Sequence, residues 1–144
     1  MCTTVVIIGA GHAGLAVSTR LTERSIDHVL LERGEVANSW RTERWDSLRL
    51  LTPNWMTQLP GAGYVGDDPD GYMSAAQVAG IIGEYAAAVG APVHSRTAVT
   101  RVVARDPGYA VETDRGRWLC AAVVIATGPC GSARLPSLAA DLPA

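Results

Sequence analysis

The stretch TVVIIGAGHAG, residues 4–14, carries the strongest indication of the fold of this chain. Its first five residues are β-branched, which is typical of a buried parallel strand, and a glycine-rich loop follows without a spacer. Helically spaced small and apolar residues then predict a helix from His12 to about Arg24, and a second strand runs from Asp27 to Glu32. A strand, a helix and a strand within about 30 residues predict a right-handed crossover in a parallel sheet.

The glycines of this loop have the spacing G-x-G-x-x-G that dinucleotide-binding folds use. Gly9 allows a tight turn, Gly11 lets the backbone approach a pyrophosphate, and Gly14 allows close contact between helix and strand. The free N–H groups and the dipole at the start of the helix attract the phosphates. The alternative, a tight turn without a ligand, is disfavoured by the flanking strand and helix. The expected cofactor-binding residues here are Gly9, Ala10, Gly11, His12, Ala13 and Gly14, of which His12 is expected to be only a loop residue.

Glu32 ends the second predicted strand and lies in the frame expected for a ribose-binding acidic residue. Its carboxylate can accept hydrogen bonds from the ribose hydroxyls of an adenosine, and it repels a 2′-phosphate. The loop should therefore prefer FAD or NAD to NADP. Arg33 weakens this preference slightly, because an arginine can accommodate a phosphate; its other interpretation is a solvated residue at a strand end.

Residues 34–73 show no sustained period and hold three of the four tryptophans, which predicts a long ordered loop with short helical turns. Loops of this length usually carry function. The capping box formed by Ser74 and Gln77 then predicts a helix over residues 75–89, which Gly90 ends.

Beyond Pro92 the pattern changes to short strands separated by turns. The predicted strands are residues 93–95, 99–105, 109–113, 117–120 and 122–126. The second to fourth of these form a small antiparallel meander, and the fifth has the apolar character of a central parallel strand. The chain is therefore predicted to be an α/β protein with a Rossmann-like, doubly wound parallel sheet and a small antiparallel β-meander.

Composition excludes several classes of function. A length of 144 residues suits one domain, and a net charge of -2 with a pI near 5.9 argues against nucleic acid or an anionic membrane as partner. The sequence contains no lysine, so lysine-dependent chemistry is excluded. Cys2, Cys120 and Cys130 suggest neither a disulfide framework nor a metal site. We expect a soluble, cytoplasmic protein whose partner is a small-molecule cofactor.

Three segments resemble the flavin-containing monooxygenase-like flavoproteins, which belong to the superfamily of flavoproteins with two dinucleotide-binding domains. They are the first loop with Glu32 and Arg33; the segment Ser39-Trp40-Arg41 followed by RWDSLRLLTP at 44–53; and VVIATG at 123–128. The strand, glycine loop and helix at the start of the chain would suit FAD and NAD equally well. The choice between these cofactors therefore rests on the resemblance, which implies FAD.

The resemblance also implies roles for residues outside the loop. Arg41 would meet a phosphate or a flavin carbonyl, while Trp40 and Trp45 would offer flat apolar walls; packing in a core or lid is the alternative for all three. The backbone near Val99 would contact the adenine, though from its pattern Val99 is simply a strand valine. The expected cofactor-binding residues beyond the loop are Glu32, Arg33, Ser39, Trp40, Arg41, Trp45, Val99, Thr127 and Gly128.

The sequence departs from this family at two places. Asn38-Ser39 stands where many relatives carry two glycines, and the segment 135–138 resembles the start of a connection to a second domain, with Ala144 the last residue. We therefore expect residues 1–144 to form an FAD-binding Rossmann-like domain that is incomplete at its C-terminus. We expect no NAD(P)H-binding domain within these residues, so NADPH would take part only if a second domain is supplied elsewhere. An open sheet edge would allow self-association or a partner.

The functional hypothesis is the FAD-binding portion of a flavin-dependent, NADPH-linked oxidoreductase of the monooxygenase type. A non-catalytic dinucleotide-binding remnant and a small NAD-binding module are the alternatives. The sequence identifies no catalytic acid, base or nucleophile, and His28 and His94 are expected to be structural. Flavin chemistry belongs largely to the cofactor, so this does not argue against an enzyme.

Overall fold

Residues 1–128, together with 136 and 137, are described by a computed structural model of the chain. Leu135 and Leu138, which bound the segment resembling a domain connection, lie outside the described residues, as does Cys130. The helices and strands are, in chain order, β1 (Val5–Ile8), α1 (His12–Thr22), β2 (His28–Leu31), α2 (Asn38–Thr42), β3 (Gln58–Leu59), β4 (Ala62–Gly63), α3 (Ala75–Ala88), β5 (Val93–His94), β6 (Val99–Ala104), β7 (Tyr109–Thr113), β8 (Gly116–Cys120) and β9 (Ala122–Ile125), with a 3-10 turn at Asn54–Met56.

The central element is a four-stranded parallel sheet in the order β5-β2-β1-β9. Successive side chains of β1 point to opposite faces of this sheet. Ile7 packs with Leu15 of α1 and Ile82 of α3, while Val6 packs with Val111 and Trp118 of the three-stranded β6-β7-β8 meander. Helices therefore cover one face and the meander covers the other. The predicted Rossmann-like α/β fold is confirmed.

Helix α3 begins with the predicted capping box: Gln77 N donates to Ser74 Oγ (3.3 Å), and Ser74 N donates to Gln77 Oε1 (2.9 Å). Tyr85 on the inner face of this helix donates its hydroxyl to Pro60 O (2.8 Å) and lies 2.7 Å from Thr19 Oγ1 of α1. These contacts bind both helices to the long loop.

The loop of residues 34–73 is ordered and contains helical turns, as its composition predicts. It also contains the small β3-β4 hairpin, which the sequence analysis missed. Each of these strands is only two residues long, too short for an alternating pattern to appear. The loop closes by backbone bonds, including Leu50 N to Met73 O (2.9 Å).

Strand β9 pairs with β1, and within residues 1–128 no strand pairs with its other side. The expectation that this edge binds another copy or a partner stays a prediction. The helices in the described part of the chain are all too short or too polar to cross a membrane.

Candidate functional site

The carboxyl ends of β1, β2 and β9 open into a cleft of about 790 Å³. Parallel strands bring their carboxyl ends to one edge of the sheet, and ligands of open α/β sheets bind there. Eleven of the fifteen predicted site residues line this cleft: Gly9, Gly11, His12, Ala13, Glu32, Arg33, Ser39, Trp40, Val99, Thr127 and Gly128. Ala10, Gly14, Arg41 and Trp45 do not.

Two glycines of the loop are required by the protein itself. Gly9 has a φ of +106°, and a Cβ there would lie 2.5 Å from Ala126 O. A Cβ on Gly14 would lie 2.0 Å from Gly9 O. The tight turn and the close contact of helix and sheet therefore explain both residues without a ligand.

Gly11 is different, because neither its backbone nor its packing requires a glycine. Its φ of -91° is ordinary, and a Cβ there would have no atom within 4 Å. Gly11 is also the N-cap of α1, and no side chain caps this helix end. Open space in front of an uncapped helix N-terminus fits a pyrophosphate, which accepts hydrogen bonds from the free N–H groups.

Glu32 holds this loop in place. Its side chain is 7% exposed; Oε2 accepts a hydrogen bond from Ala10 N (2.9 Å) and Oε1 accepts one from Gly34 N (3.0 Å). An ionised carboxylate can accept about four hydrogen bonds. Two are used by the backbone, and the remaining capacity can serve ribose hydroxyls in the cleft that Glu32 lines. The bond to Ala10 had no signal in the sequence.

Arg41 is directed away from the cleft. Its Nε donates to Val36 O (2.9 Å) and its Nη2 to Ala79 O of α3 (3.5 Å). The neighbouring tryptophans also differ: Trp40 lines the cleft and packs on the core beside α1, whereas Trp45 is 65% exposed and lies outside the cleft.

Arg44 lines the cleft instead, and sequence reasoning did not select it. Its guanidinium carbon lies 5.0 Å from the centre of the Trp40 ring, a cation–π distance. No local pattern in the sequence would have found it, because α2 ends at Thr42 and Arg44 lies beyond its C-cap Glu43.

Two predicted residues of the cleft, Arg33 and His12, are bonded to other parts of the chain. Arg33 forms an ion pair with Glu43, so its charge is neutralised at the cleft wall. His12 donates from Nε2 to Gln58 O (2.9 Å), which joins α1 to the β3-β4 hairpin. The lining residues that sequence reasoning missed are Ile8, Leu31, Asn38, Arg44, Thr97, Ala98, Ile125 and Ala126.

The histidines outside the cleft have structural partners. His28 donates from Nδ1 to Ile26 O (2.9 Å), and its Nε2 lies 2.8 Å from Ser18 Oγ in the buried contact of α1 with β2. His94 packs edge-on against Trp118, with ring centres 5.1 Å apart.

Burial raises the pKa of the Cys120 thiol, which disfavours a nucleophilic role.

The described residues contain no group of His, Cys, Asp and Glu side chains that could hold a metal ion. What the cleft offers is an anion-binding helix end, a fixed carboxylate and an aromatic face. This arrangement can bind and orient a dinucleotide.

The chain is similar to several known proteins. Residues 6–140 match the family model of the pyridine nucleotide-disulphide oxidoreductases. An uncharacterized oxidoreductase, CzcO-like, of Geobacillus kaustophilus is 34% identical over 139 residues, which is 96% of this chain and 39% of the relative.

Solved structures share the fold. A flavin-containing monooxygenase from Stenotrophomonas maltophilia superposes with a TM-score of 0.81 and 29% identity, covering 94% of this chain and 41% of that protein. An OTEMO complex with FAD and NADP superposes with a TM-score of 0.79 and 22% identity, covering 94% of this chain and 27% of that protein. At this identity the likeness is one of fold alone. The chain thus spans less than half the length of these proteins.

Replacing Glu32 by alanine should destabilise the chain even without a cofactor. Ala10 is fully buried, and its N–H would lose the acceptor that the Glu32 carboxylate provides. The expected loss in the free energy of unfolding is about 1–3 kcal/mol, measured by urea denaturation. The control is Glu84→Ala, on the exposed side of α3, with an expected change within about 0.5 kcal/mol. Equal stability of both variants would contradict a structural role for Glu32.

Proposed function

The chain belongs to the pyridine nucleotide-disulphide oxidoreductase family, and on that premise we propose that it is the FAD-binding portion of a flavin-dependent, NADPH-linked oxidoreductase of the monooxygenase type. The observation that carries the proposal is the open space at Gly11, in front of the uncapped N-terminus of α1. The likeness to a flavin-containing monooxygenase at 29% identity supports FAD as the dinucleotide.

The cleft suits an elongated cofactor. Glu32 follows β2, the glycine loop follows β1, and Thr127 follows β9, so a ligand touching both Glu32 and Thr127 crosses three strand ends. Two strand spacings amount to about 10 Å. We place the pyrophosphate at Gly11, the adenosine ribose at Glu32, the adenine near Val99 and the flavin side toward Thr127.

Electrostatics support FAD over NADP at this cleft. Glu32 presents a carboxylate where a 2′-phosphate would have to lie, and like charges at close range repel. Arg33, which could otherwise attract that phosphate, is paired with Glu43.

Bound FAD would supply the redox chemistry, accepting electrons from a reduced nicotinamide and passing them to oxygen. The residues of this chain bind and orient the cofactor: the first turn of α1 offers N–H donors, and Glu32 offers acceptors. The apolar body of Trp40 restricts water at one wall of the cleft.

We propose that NADPH binds in regions that the relatives carry beyond the matched part. This chain spans 39% of the CzcO-like relative and 27% of the OTEMO protein, whose structure holds both FAD and NADP. We propose that the substrate also binds in the regions beyond the matched part, since the dinucleotide would fill the described cleft.

Replacing Gly11 by valine should weaken FAD binding by about 5- to 150-fold, because the side chain would occupy the pyrophosphate space and overpacking costs about 1–3 kcal/mol. Equilibrium titration with flavin fluorescence measures this. Gly80→Val is the matched control: Gly80 lies in α3, outside the cleft, with equally open surroundings. Folded Gly11→Val protein with unchanged FAD affinity would contradict the assignment of the loop.

Addition of NADPH to this chain loaded with FAD should leave the flavin absorbance unchanged in the absence of oxygen. Dithionite, which needs no binding site, should bleach the same sample and serves as the positive control. Bleaching by NADPH faster than that of free FAD would show that the NADPH site lies within this chain and would overturn that part of the proposal.

A further inference from the structure

Arg44 has an unusual environment in the wall of the cleft. Its Nε is fully buried and has no hydrogen-bond partner among the described residues. Buried polar atoms in native proteins nearly always have a partner, and a buried donor of a charged group is costly to leave unpaired. Arg44 is therefore left with hydrogen-bond donor capacity that the described residues do not use.

The guanidinium group is also held in a fixed place. It stacks on Trp40 at 5.0 Å, and Trp40 packs against the core cluster between the sheet and the helices. A guanidinium stacked on a tryptophan can still donate hydrogen bonds in its own plane through its terminal N–H groups. Such a donor is oriented before any ligand arrives.

The other cations near this wall are already committed. Arg33 is paired with Glu43, and Arg41 donates to the carbonyls of Val36 and Ala79. The sequence contains no lysine. Among the arginines that line the cleft in the described part of the chain, Arg44 is thus the one without a carboxylate partner.

Arg44 belongs to the segment that lies beside the glycine loop. Ala37, the N-cap of α2, donates its backbone N–H to Ala10 O (3.1 Å), which fixes the start of that helix to the loop. Arg44 follows the end of α2 and lines the same cleft as Gly11. The adenine side of the cleft, by contrast, is formed by residues 97–99, which lead into β6.

From this placement we propose that Arg44 donates hydrogen bonds to a pyrophosphate oxygen of the bound dinucleotide and supplies a positive side-chain charge beside it. The inference rests on the proposed function, in which the cleft binds FAD. A pyrophosphate carries its negative charge in every redox state of the cofactor, and a guanidinium matches phosphate oxygens in geometry and charge. Backbone N–H groups of α1 would bind the same group from the other side.

The test compares FAD with ADP, which shares the pyrophosphate and lacks the flavin. Arg44→Gln should weaken binding of both ligands by the same factor, about 10- to 100-fold, as expected for hydrogen bonds to charged groups. Arg44→Lys, which keeps the charge and loses the planar fork, should lie between Gln and wild type for both ligands. Affinities are measured by titration of the full chain at one fixed ionic strength.

Arg24→Gln is the matched control for loss of one positive charge. Arg24 lies just beyond the C-terminal end of α1, while the cleft lies at its N-terminal end, and its side chain bonds only to Arg20 O among the described residues. Its FAD and ADP affinities should stay at the wild-type values. Circular dichroism confirms that each variant is folded; if Arg44→Gln is not, Arg44→Lys carries the comparison.

Each outcome bears on the proposal. Loss of FAD affinity with unchanged ADP affinity would move the contact to the flavin and overturn the pyrophosphate assignment. Unchanged affinity for both ligands, with a lower melting temperature, would make Arg44 a packing residue and also overturn it. Failure of the wild-type chain to bind either ligand would overturn the proposed function itself, which separates the two claims.

Discussion

The hydrogen bond from Ala10 N–H to the Glu32 carboxylate is the contact on which the cleft depends. The same carboxylate receives Gly34 N–H, and the backbone of Glu32 bonds to His94 O (3.1 Å) and Thr97 N (2.8 Å). One residue thus fixes the turn after β1, the turn after β2 and the entry to the meander. Because these three segments form part of the cleft wall, that part of the site is built into the sheet edge before any ligand binds.

Packing on both faces of the sheet leaves that edge as the place for a ligand. Helices α1 and α3 cover one face and the meander covers the other, with Val6 and Ile7 alternating between them. The edge at the carboxyl ends of the strands remains accessible, and the dipole of α1 points its positive end there. The strand-loop-helix unit at the start of the chain therefore forms the centre of the fold and also the anion-binding part of the cleft.

Local signals in the sequence were sufficient for most of the fold. The bounds of α1, α3 and the meander strands agree with the predicted ranges to within about two residues, because periodicity and capping act over short distances. The β3-β4 hairpin and the opposite directions of Arg41 and Arg44 were not predictable in this way. Both depend on how the loop of residues 34–73 packs on α1 and α3, which no short sequence window contains.

If the cleft binds FAD through contacts with its ADP half, the wild-type chain should discriminate FAD from FMN, and equilibrium titration with both flavins measures this. FMN has the flavin and one phosphate and lacks the adenosine that Glu32 and Val99 would contact. We expect one FAD per chain, bound at least about tenfold more tightly than FMN, a difference of about 1.4 kcal/mol or more. Equal affinity for FMN, or NADH binding in preference to FAD, would contradict it.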